Sequence, residues 1–127
     1  MLEPLAGYLL LAERLWNDAS AAEAWNFGPA SIDVKPVCDI VDRVTQVWGP
    51  GARWHTIEEA DARHEAHLLA LDSSKAQARL NWRPRLRLDT ALEWTLRWYR
   101  DYLSGQSALD LILRDIAGYE AQEKAYL

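Results

Sequence analysis

Residues 65 to 84 carry the strongest structural signals of the chain and read Glu-Ala-His-Leu-Leu-Ala-Leu-Asp-Ser-Ser-Lys-Ala-Gln-Ala-Arg-Leu-Asn-Trp-Arg-Pro. It begins with an apolar run at 67–71, which has the length and flanks of a short buried strand. Asp72 or Ser73 follows where a side-chain oxygen can cap the exposed amides at the start of a helix. The first half of the stretch therefore predicts a strand that leads into a helix.

The second half of the stretch predicts how that helix ends. Ala76 and Leu80 lie one turn apart and face the same side. Asn81 stands where a residue that tolerates left-handed backbone angles ends a helix. Trp82 is then expected to pack back on the helix, and Pro84 prevents the helix from continuing.

The composition limits the classes of protein to which the chain can belong. Its 127 residues, 50% of them hydrophobic, suit a single domain spanning 1–127. The formal net charge of -5 argues against a nucleic-acid or anionic-membrane partner. Cys38 is the only cysteine and the apolar run at 9–12 is too short for a signal peptide, so we expect a cytoplasmic protein.

Apolar residues repeat at helical spacing in most of the chain, and two other segments read as strands. The resulting fold class is α/β, or an α+β-like fragment: a helix-rich lobe with a few short strands. Thr90 and Glu93 have the spacing of a capping box for the long fourth helix. The predicted helices span about 4–16, 36–48, 88–104 and 108–122, with a short helix between the cap at Asp72 or Ser73 and Asn81. The predicted additional strands span 24–27 and 53–57.

The 65–84 stretch resembles a signature of the extended short-chain dehydrogenases that modify nucleotide sugars. That signature runs acidic residue, apolar strand, Asp, Lys-Ala and Leu-Gly-Trp-x-Pro. Asn81 replaces the usual Gly of the signature, which is a mild change because Asn is the second choice for left-handed geometry. The matching residues are Glu65, Leu68 to Leu71, Asp72, Lys75, Ala76, Leu80, Trp82 and Pro84.

Further segments narrow the resemblance to the C-terminal part of the CDP-glucose 4,6-dehydratase branch, which acts in deoxysugar and O-antigen polysaccharide biosynthesis. The Leu-Glu-Pro-Leu opening at 2–5 and the Glu-Ala-His triplet at 65–67 favour this branch over the GDP-mannose one. The remaining matching segments are Trp-Asn-Phe-Gly-Pro at 25–29, Lys-Pro-Val at 35–37 and Thr-x-x-Trp-Tyr at 95–99.

Two hallmarks of the complete enzymes are missing from these residues. The family binds NAD on a Gly-rich turn of a Rossmann domain, and the chain contains no such run. The catalytic Tyr-x-x-x-Lys pattern is also absent. The resemblance therefore implies a substrate-binding lobe that lacks the Rossmann domain, carries no catalytic residue or cofactor of its own, and is inactive alone.

Four residues are candidates for binding a CDP-sugar. The resemblance places Arg63, His64 and Glu65 where related enzymes contact the ribose and phosphates. A basic side chain would pair with pyrophosphate and a carboxylate would hold ribose hydroxyls. Arg53 could face the same site, although these polar residues could equally be solvated surface. We predict no metal site, because His64 and His67 lack the four-residue helical spacing of zinc proteases.

The first helix carries more apolar surface than a lobe of this size can cover. We expect it to pack beside the missing Rossmann lobe or to form a homodimer, with Leu10 and Leu11 among the exposed residues. Two other functions stay open. The chain could be the equivalent lobe of another sugar-nucleotide epimerase or dehydratase, or a free-standing interaction module whose apolar helix docks a partner.

Overall fold

The computed structural model of the chain describes residues 1–57 and 70–122. Within these ranges the regular structure is entirely helical, and no strand is present. The prediction of an α/β lobe with short strands is therefore wrong, and the described fold is all-α. Its elements are α1 (Leu2–Asn17), two 3-10 turns (Ala19–Ala21 and Ser31–Asp33), α2 (Val37–Trp48), α3 (Ser74–Leu80), α4 (Leu88–Leu103) and α5 (Ala108–Glu120).

The segments predicted as strands are irregular because side-chain bonds and helix packing hold them instead of a ladder. A strand needs a paired neighbour for its backbone N–H and C=O groups, and the described residues provide none. In the 24–27 segment, the indole of Trp25 donates to the carbonyl of Ala21 over 2.9 Å. In the 53–57 segment, the indole of Trp54 donates to Asp42 over 2.8 Å. The third predicted strand, at 67–71, lies largely outside the described residues.

The α3 unit forms the main core, as predicted from the 65–84 stretch. Ala76 is fully buried and Trp82 is 5% exposed. Asn81 has φ 51° and ψ 28°, which is the left-handed conformation expected at the end of α3. The amide of Trp82 donates to the carbonyl of Ala76 over 3.2 Å, which turns the indole back onto the helix. Phe27 meets the Trp82 ring edge-on, with the two ring centroids 5.1 Å apart.

Helix α1 packs on this core through a face that the sequence had not identified. Leu10 and Leu11 are partly buried against the α3 unit, so their predicted exposure is wrong. Gly7 is buried beside Phe27, and a Cβ atom at that position would come within 2.4 Å of the ring. The backbone of α1 therefore approaches the core closely, and this approach directs Leu10 and Leu11 inward.

Helices α2, α4 and α5 form the other side of the described fold. Leu96 of α4 and Leu111 of α5 are buried, and α4 contacts both α2 and α5. The predicted capping box is wrong, because Thr90 lies inside α4 rather than at its start. Glu93 instead accepts from Arg43 over 3.2 Å and joins α4 to α2.

Candidate functional site

Of the four residues predicted to bind a CDP-sugar, one lies in the described part of the chain. Arg53 follows α2 in an irregular segment and is exposed to solvent. Arg63, His64 and Glu65 fall in 58–69, outside the described residues. The structure therefore fixes the position of Arg53 and of the chain on both sides of the predicted binding loop.

The segment that bears Arg53 is attached to α2 next to the start of that loop. The indole of its neighbour Trp54 donates to Asp42 of α2. This hydrogen bond attaches the Arg53 segment to α2. Arg100 of α4 donates to the carbonyls of Val47 and Trp48, the latter over 2.7 Å. A cation at the carboxyl end of a helix satisfies carbonyls that have no partner within the helix. The Arg53 segment thus extends from a helix end that α4 holds in place.

The far side of the loop is attached to the core through a glycine. Leu71 packs so closely on Gly28 that a Cβ atom there would lie 2.9 Å from the Cβ of Leu71. Asp72 then accepts from the amide of Ser74 over 2.9 Å and caps α3. This backbone hydrogen bond holds the pKa of Asp72 below its usual value.

Lys75, from the Lys-Ala pair of the signature, connects two segments of the chain. Its ammonium group lies 2.7 Å from Glu23 and donates to the carbonyl of Ala24 over 2.9 Å. It also lies 4.6 Å from the centroid of the Trp25 ring. The hydrogen bond from Lys75, together with the nearby charge of Arg79, lowers the pKa of Glu23. Lys75 therefore joins α3 to the 23–25 segment, and the described contacts give it no catalytic partner.

Sequence reasoning missed a row of arginines that follows Trp82. Arg83, Arg85 and Arg87 alternate along 83–87, and that alternation was the available signal. Arg87 pairs with the buried Asp33 over 3.0 Å. Arg85 donates to the backbone of Tyr119 over 3.2 Å. Arg83 is exposed and lines a groove between α1 and the segment after α3.

A second polar groove lies between the start of α2 and the start of α4. It encloses about 350 Å³, and its lining includes Lys35, Arg43 and Arg87. Asp33, Asp39 and Asp89 line the same groove, and Arg43 is paired with Asp89 over 2.9 Å. Carboxylates thus offset the cations in this groove, so we keep Arg53 and the 58–69 loop as the candidate anion-binding region. Among the described residues there is no cluster of side chains suited to hold a metal ion.

Glu3, from the Leu-Glu-Pro-Leu opening, is the centre of a hydrogen-bond network. One carboxylate oxygen accepts from the amides of Arg85 and Leu86 over 2.7 and 2.6 Å. The other accepts from the hydroxyl of Tyr119 over 2.8 Å. Burial, followed by the hydrogen bond to Glu3, raises the pKa of Tyr119 well above its usual value. Glu3 therefore ties α1 to both the segment before α4 and the end of α5.

The resemblance inferred from these segments agrees with a comparison across the whole chain. The chain is 40% identical over 120 residues, or 94% of its length, to CDP-glucose 4,6-dehydratase of Salmonella typhimurium. The chain therefore spans about one third of the length of that dehydratase. No family model matches the chain.

The extent of the match to the Salmonella dehydratase is as informative as its identity. The matched part is 33% of the dehydratase, so most of that protein lies outside the alignment. This partial coverage is consistent with the C-terminal part that the motifs indicate. The resemblance to a sugar-nucleotide dehydratase is thus confirmed. Within residues 1–57 and 70–122, no helix has both the length and the apolar character required to cross a membrane.

Proposed function

We propose that this chain is the C-terminal, substrate-binding lobe of an NAD-dependent CDP-glucose 4,6-dehydratase of deoxysugar and O-antigen biosynthesis. The identity of 40% across nearly the whole chain carries the proposal. The positions of the signature residues support it, since Asp72 caps α3, Asn81 ends it and Trp82 is buried beneath it. These residues form the part of the fold that directly follows the candidate binding loop in the chain.

The lobe's own contribution is to bind and orient the sugar nucleotide. In the complete enzyme, bound NAD would supply the oxidation of C4 of the glucose, with loss of water across C5 and C6 and return of the hydride to C6. The sequence contains neither a Gly-rich NAD turn nor a Tyr-x-x-x-Lys pair. This lobe is therefore inactive alone, and cofactor and catalytic groups come from a Rossmann lobe.

Arg53 and the 63–65 segment would recognise the nucleotide. Guanidinium groups at Arg53 and Arg63 can each donate two parallel hydrogen bonds to phosphate oxygens. The carboxylate of Glu65 would accept from ribose hydroxyls, and His64 would add a further contact to the phosphates or ribose. The exposure of Arg53 leaves its guanidinium free to meet a ligand that is held partly by another lobe.

The outer face of α1 is the surface on which the Rossmann lobe would dock. It carries large apolar side chains that the described lobe leaves in solvent, including Leu9 at 73% and Trp16 at 90% exposed. Leu5, Leu9 and Trp16 occupy one side of α1, opposite Leu10 and Leu11 in the core. An apolar face of this kind on a soluble protein is typical of an interface.

Two alternatives differ from this proposal in measurable ways. The lobe could serve an epimerase or dehydratase that acts on a different nucleotide, in which case another base would be preferred. It could also be an interaction module that binds no sugar nucleotide, and the exposed face of α1 favours this second alternative.

A chimeric enzyme separates these possibilities. This chain replaces the matched third of the Salmonella dehydratase, and calorimetry measures the binding of CDP-glucose and UDP-glucose. We expect the chimera to bind CDP-glucose more tightly, with Arg53→Ala and Arg63→Ala each weakening binding about tenfold, since a charge-assisted hydrogen bond contributes about 1.5 kcal/mol. Lys35→Ala is the matched control. Equal binding of both sugar nucleotides, or of neither, would reject the proposal.

A further inference from the structure

The groove between α1 and the segment after α3 combines an apolar surface with charged side chains. It encloses about 360 Å³. Leu9 and Leu10 of α1, together with Trp82, give it apolar surface. The charged side chains in its lining are Glu13, Arg83 and Arg85. A groove of this composition suits an amphipathic segment of polypeptide.

The end of α5 leads the chain to this groove. Tyr119 lies in the last turn of α5 and is part of the groove lining. Its backbone carbonyl accepts from the amide of Gln122 over 3.2 Å. The same carbonyl accepts from the guanidinium of Arg85, also over 3.2 Å. Gln122 and Arg85 therefore meet at one oxygen atom, and the residue after Gln122 begins beside Arg85.

The next five residues have side chains that complement the groove. They read Glu-Lys-Ala-Tyr-Leu at 123–127 and lie outside the described residues. Glu123 directly follows Gln122, so its carboxylate is within side-chain reach of Arg85. A guanidinium has five N–H donors, and Arg85 can therefore hold a carboxylate as well as the Tyr119 carbonyl.

The length of this segment also fits the groove. On α1 the groove extends from Ala6 to Glu13, which is about 10 Å of helix. The four residues after Glu123 span at most about 14 Å when extended, so they can follow the groove along its length. Glu13 offers a carboxylate to the ammonium group of Lys124. The remaining side chains of the segment, at 125–127, are apolar.

We propose that residues 123–127 pack in this groove, with Glu123 paired to Arg85 and the apolar side chains at 125–127 on Leu9 and Leu10. The occupant is this segment because the chain reaches the groove at the end of α5 and because its charges and length match. In this position the segment joins α5 to α1 and covers Leu9, which is otherwise 73% exposed.

The proposal is compatible with a second lobe on α1 and does not depend on the proposed function. Of the exposed apolar residues on the outer face of α1, Leu9 belongs to the groove lining. In the described part of the chain, Leu5 and Trp16 lie outside that lining. They stay available for a contact with another lobe when the segment occupies the groove.

Disulfide formation within one chain tests where the segment lies. In a Cys38→Ser background, Tyr126→Cys is combined with Leu9→Cys in the groove or with Ala117→Cys as the matched control. Ala117 is exposed and lies two residues before Tyr119, on the opposite side of α5. A segment free in solvent would close the short loop to Ala117 more readily than the long loop to Leu9.

The loss of free thiols in the monomer, followed by maleimide labelling at low protein concentration, gives the rate for each pair. We expect the pair at Leu9 and Tyr126 to close at least about fivefold faster than the control pair, because docking raises the effective concentration of one thiol at the other. Equal rates, or faster closure with Ala117, would overturn the proposal.

Charge reversal tests the pairing with Arg85. Glu123→Lys should slow disulfide formation between positions 9 and 126 by about two- to fivefold, the range expected for an exposed ion pair. Glu120→Lys, at the exposed last residue of α5, is the matched control and should leave the rate unchanged. An unchanged rate with Glu123→Lys, or equal slowing by both substitutions, would overturn the proposed pairing.

Discussion

At the scale of single residues, two residues from the motifs that carry the resemblance, Glu3 and Lys75, make contacts that hold the fold together. The glutamate of Leu-Glu-Pro-Leu accepts from two backbone amides and from Tyr119. Lys75 bonds to Glu23 and to the backbone of Ala24. Glu3 and Lys75 therefore join elements of the fold, and a residue that carries a resemblance need not be one that binds a ligand.

Trp82 is the largest side chain in the buried cluster that it forms with Ala76 and Leu80, and its removal should destabilise the fold. Trp82→Ala deletes a side chain that is 5% exposed and packs on Phe27. We expect a loss of about 3 to 5 kcal/mol in the free energy of unfolding, measured by urea denaturation. Trp16→Ala is the control, because Trp16 is 90% exposed and should change stability by less than about 0.5 kcal/mol. Equal effects of the two substitutions would show that Trp82 does not organise the core.

Tyr119 should make stability depend on pH in the alkaline range. Burial and its hydrogen bond to Glu3 raise the pKa of Tyr119 in the folded state above its unfolded value of about 10. The neutral phenol is therefore favoured by folding, and its contribution is complete below pH 10. As pH rises further toward the folded pKa, the unfolded state loses the proton first and stability falls.

The comparison with Tyr119→Phe isolates this effect from other titrating groups. The parent chain should be more stable than the variant at neutral pH, because the phenol donates to Glu3. That advantage should shrink above about pH 10. Parallel stability curves for the two proteins between pH 8 and pH 11 would contradict this assignment.

At the scale of elements, helices were predictable and strands were not. Apolar residues at helical spacing placed α2 at 36–48 and α4 at 88–104, each within one residue of the observed Val37–Trp48 and Leu88–Leu103. Short apolar segments such as 24–27 carry no information about a pairing partner. The side chains of Trp25 and Phe27 satisfy the same pattern by packing on helices. In the 24–27 segment, local sequence therefore identified side chains that pack on the core but not the backbone geometry.

The end of α3 gives the clearest test of a local prediction. Asn81 adopts φ 51°, a conformation that Gly reaches without a steric cost and Ala does not. Asn81→Ala should therefore lower the free energy of unfolding by roughly 1 to 2 kcal/mol, and Asn81→Gly should be the more stable of the two variants because Gly adopts this conformation freely. Thermal denaturation of both variants checks the order. An Ala variant at least as stable as the Gly variant would show that α3 does not need the left-handed turn.

At the scale of the whole molecule, the sequence indicated the similarity to a sugar-nucleotide dehydratase but not how the surfaces of the chain are arranged. The resemblance to a dehydratase was drawn from short segments and agrees with the comparison over 120 residues. The inward packing of Leu10 and Leu11 depends on Gly7 and Phe27, which are distant from one another in sequence. Of the candidate site, only the position of Arg53 is described, and the binding roles of Arg53, Arg63, His64 and Glu65 all remain predictions.

Turnover in the chimera shows whether this chain supplies the substrate lobe of a CDP-glucose 4,6-dehydratase. The chain alone should neither bind NAD by calorimetry nor convert CDP-glucose. The Salmonella dehydratase lacking its matched third should also be inactive. The chimera should regain NAD-dependent dehydration of CDP-glucose, with a higher kcat/KM than for UDP-glucose. A folded chimera that binds NAD but converts no CDP-glucose would contradict the account.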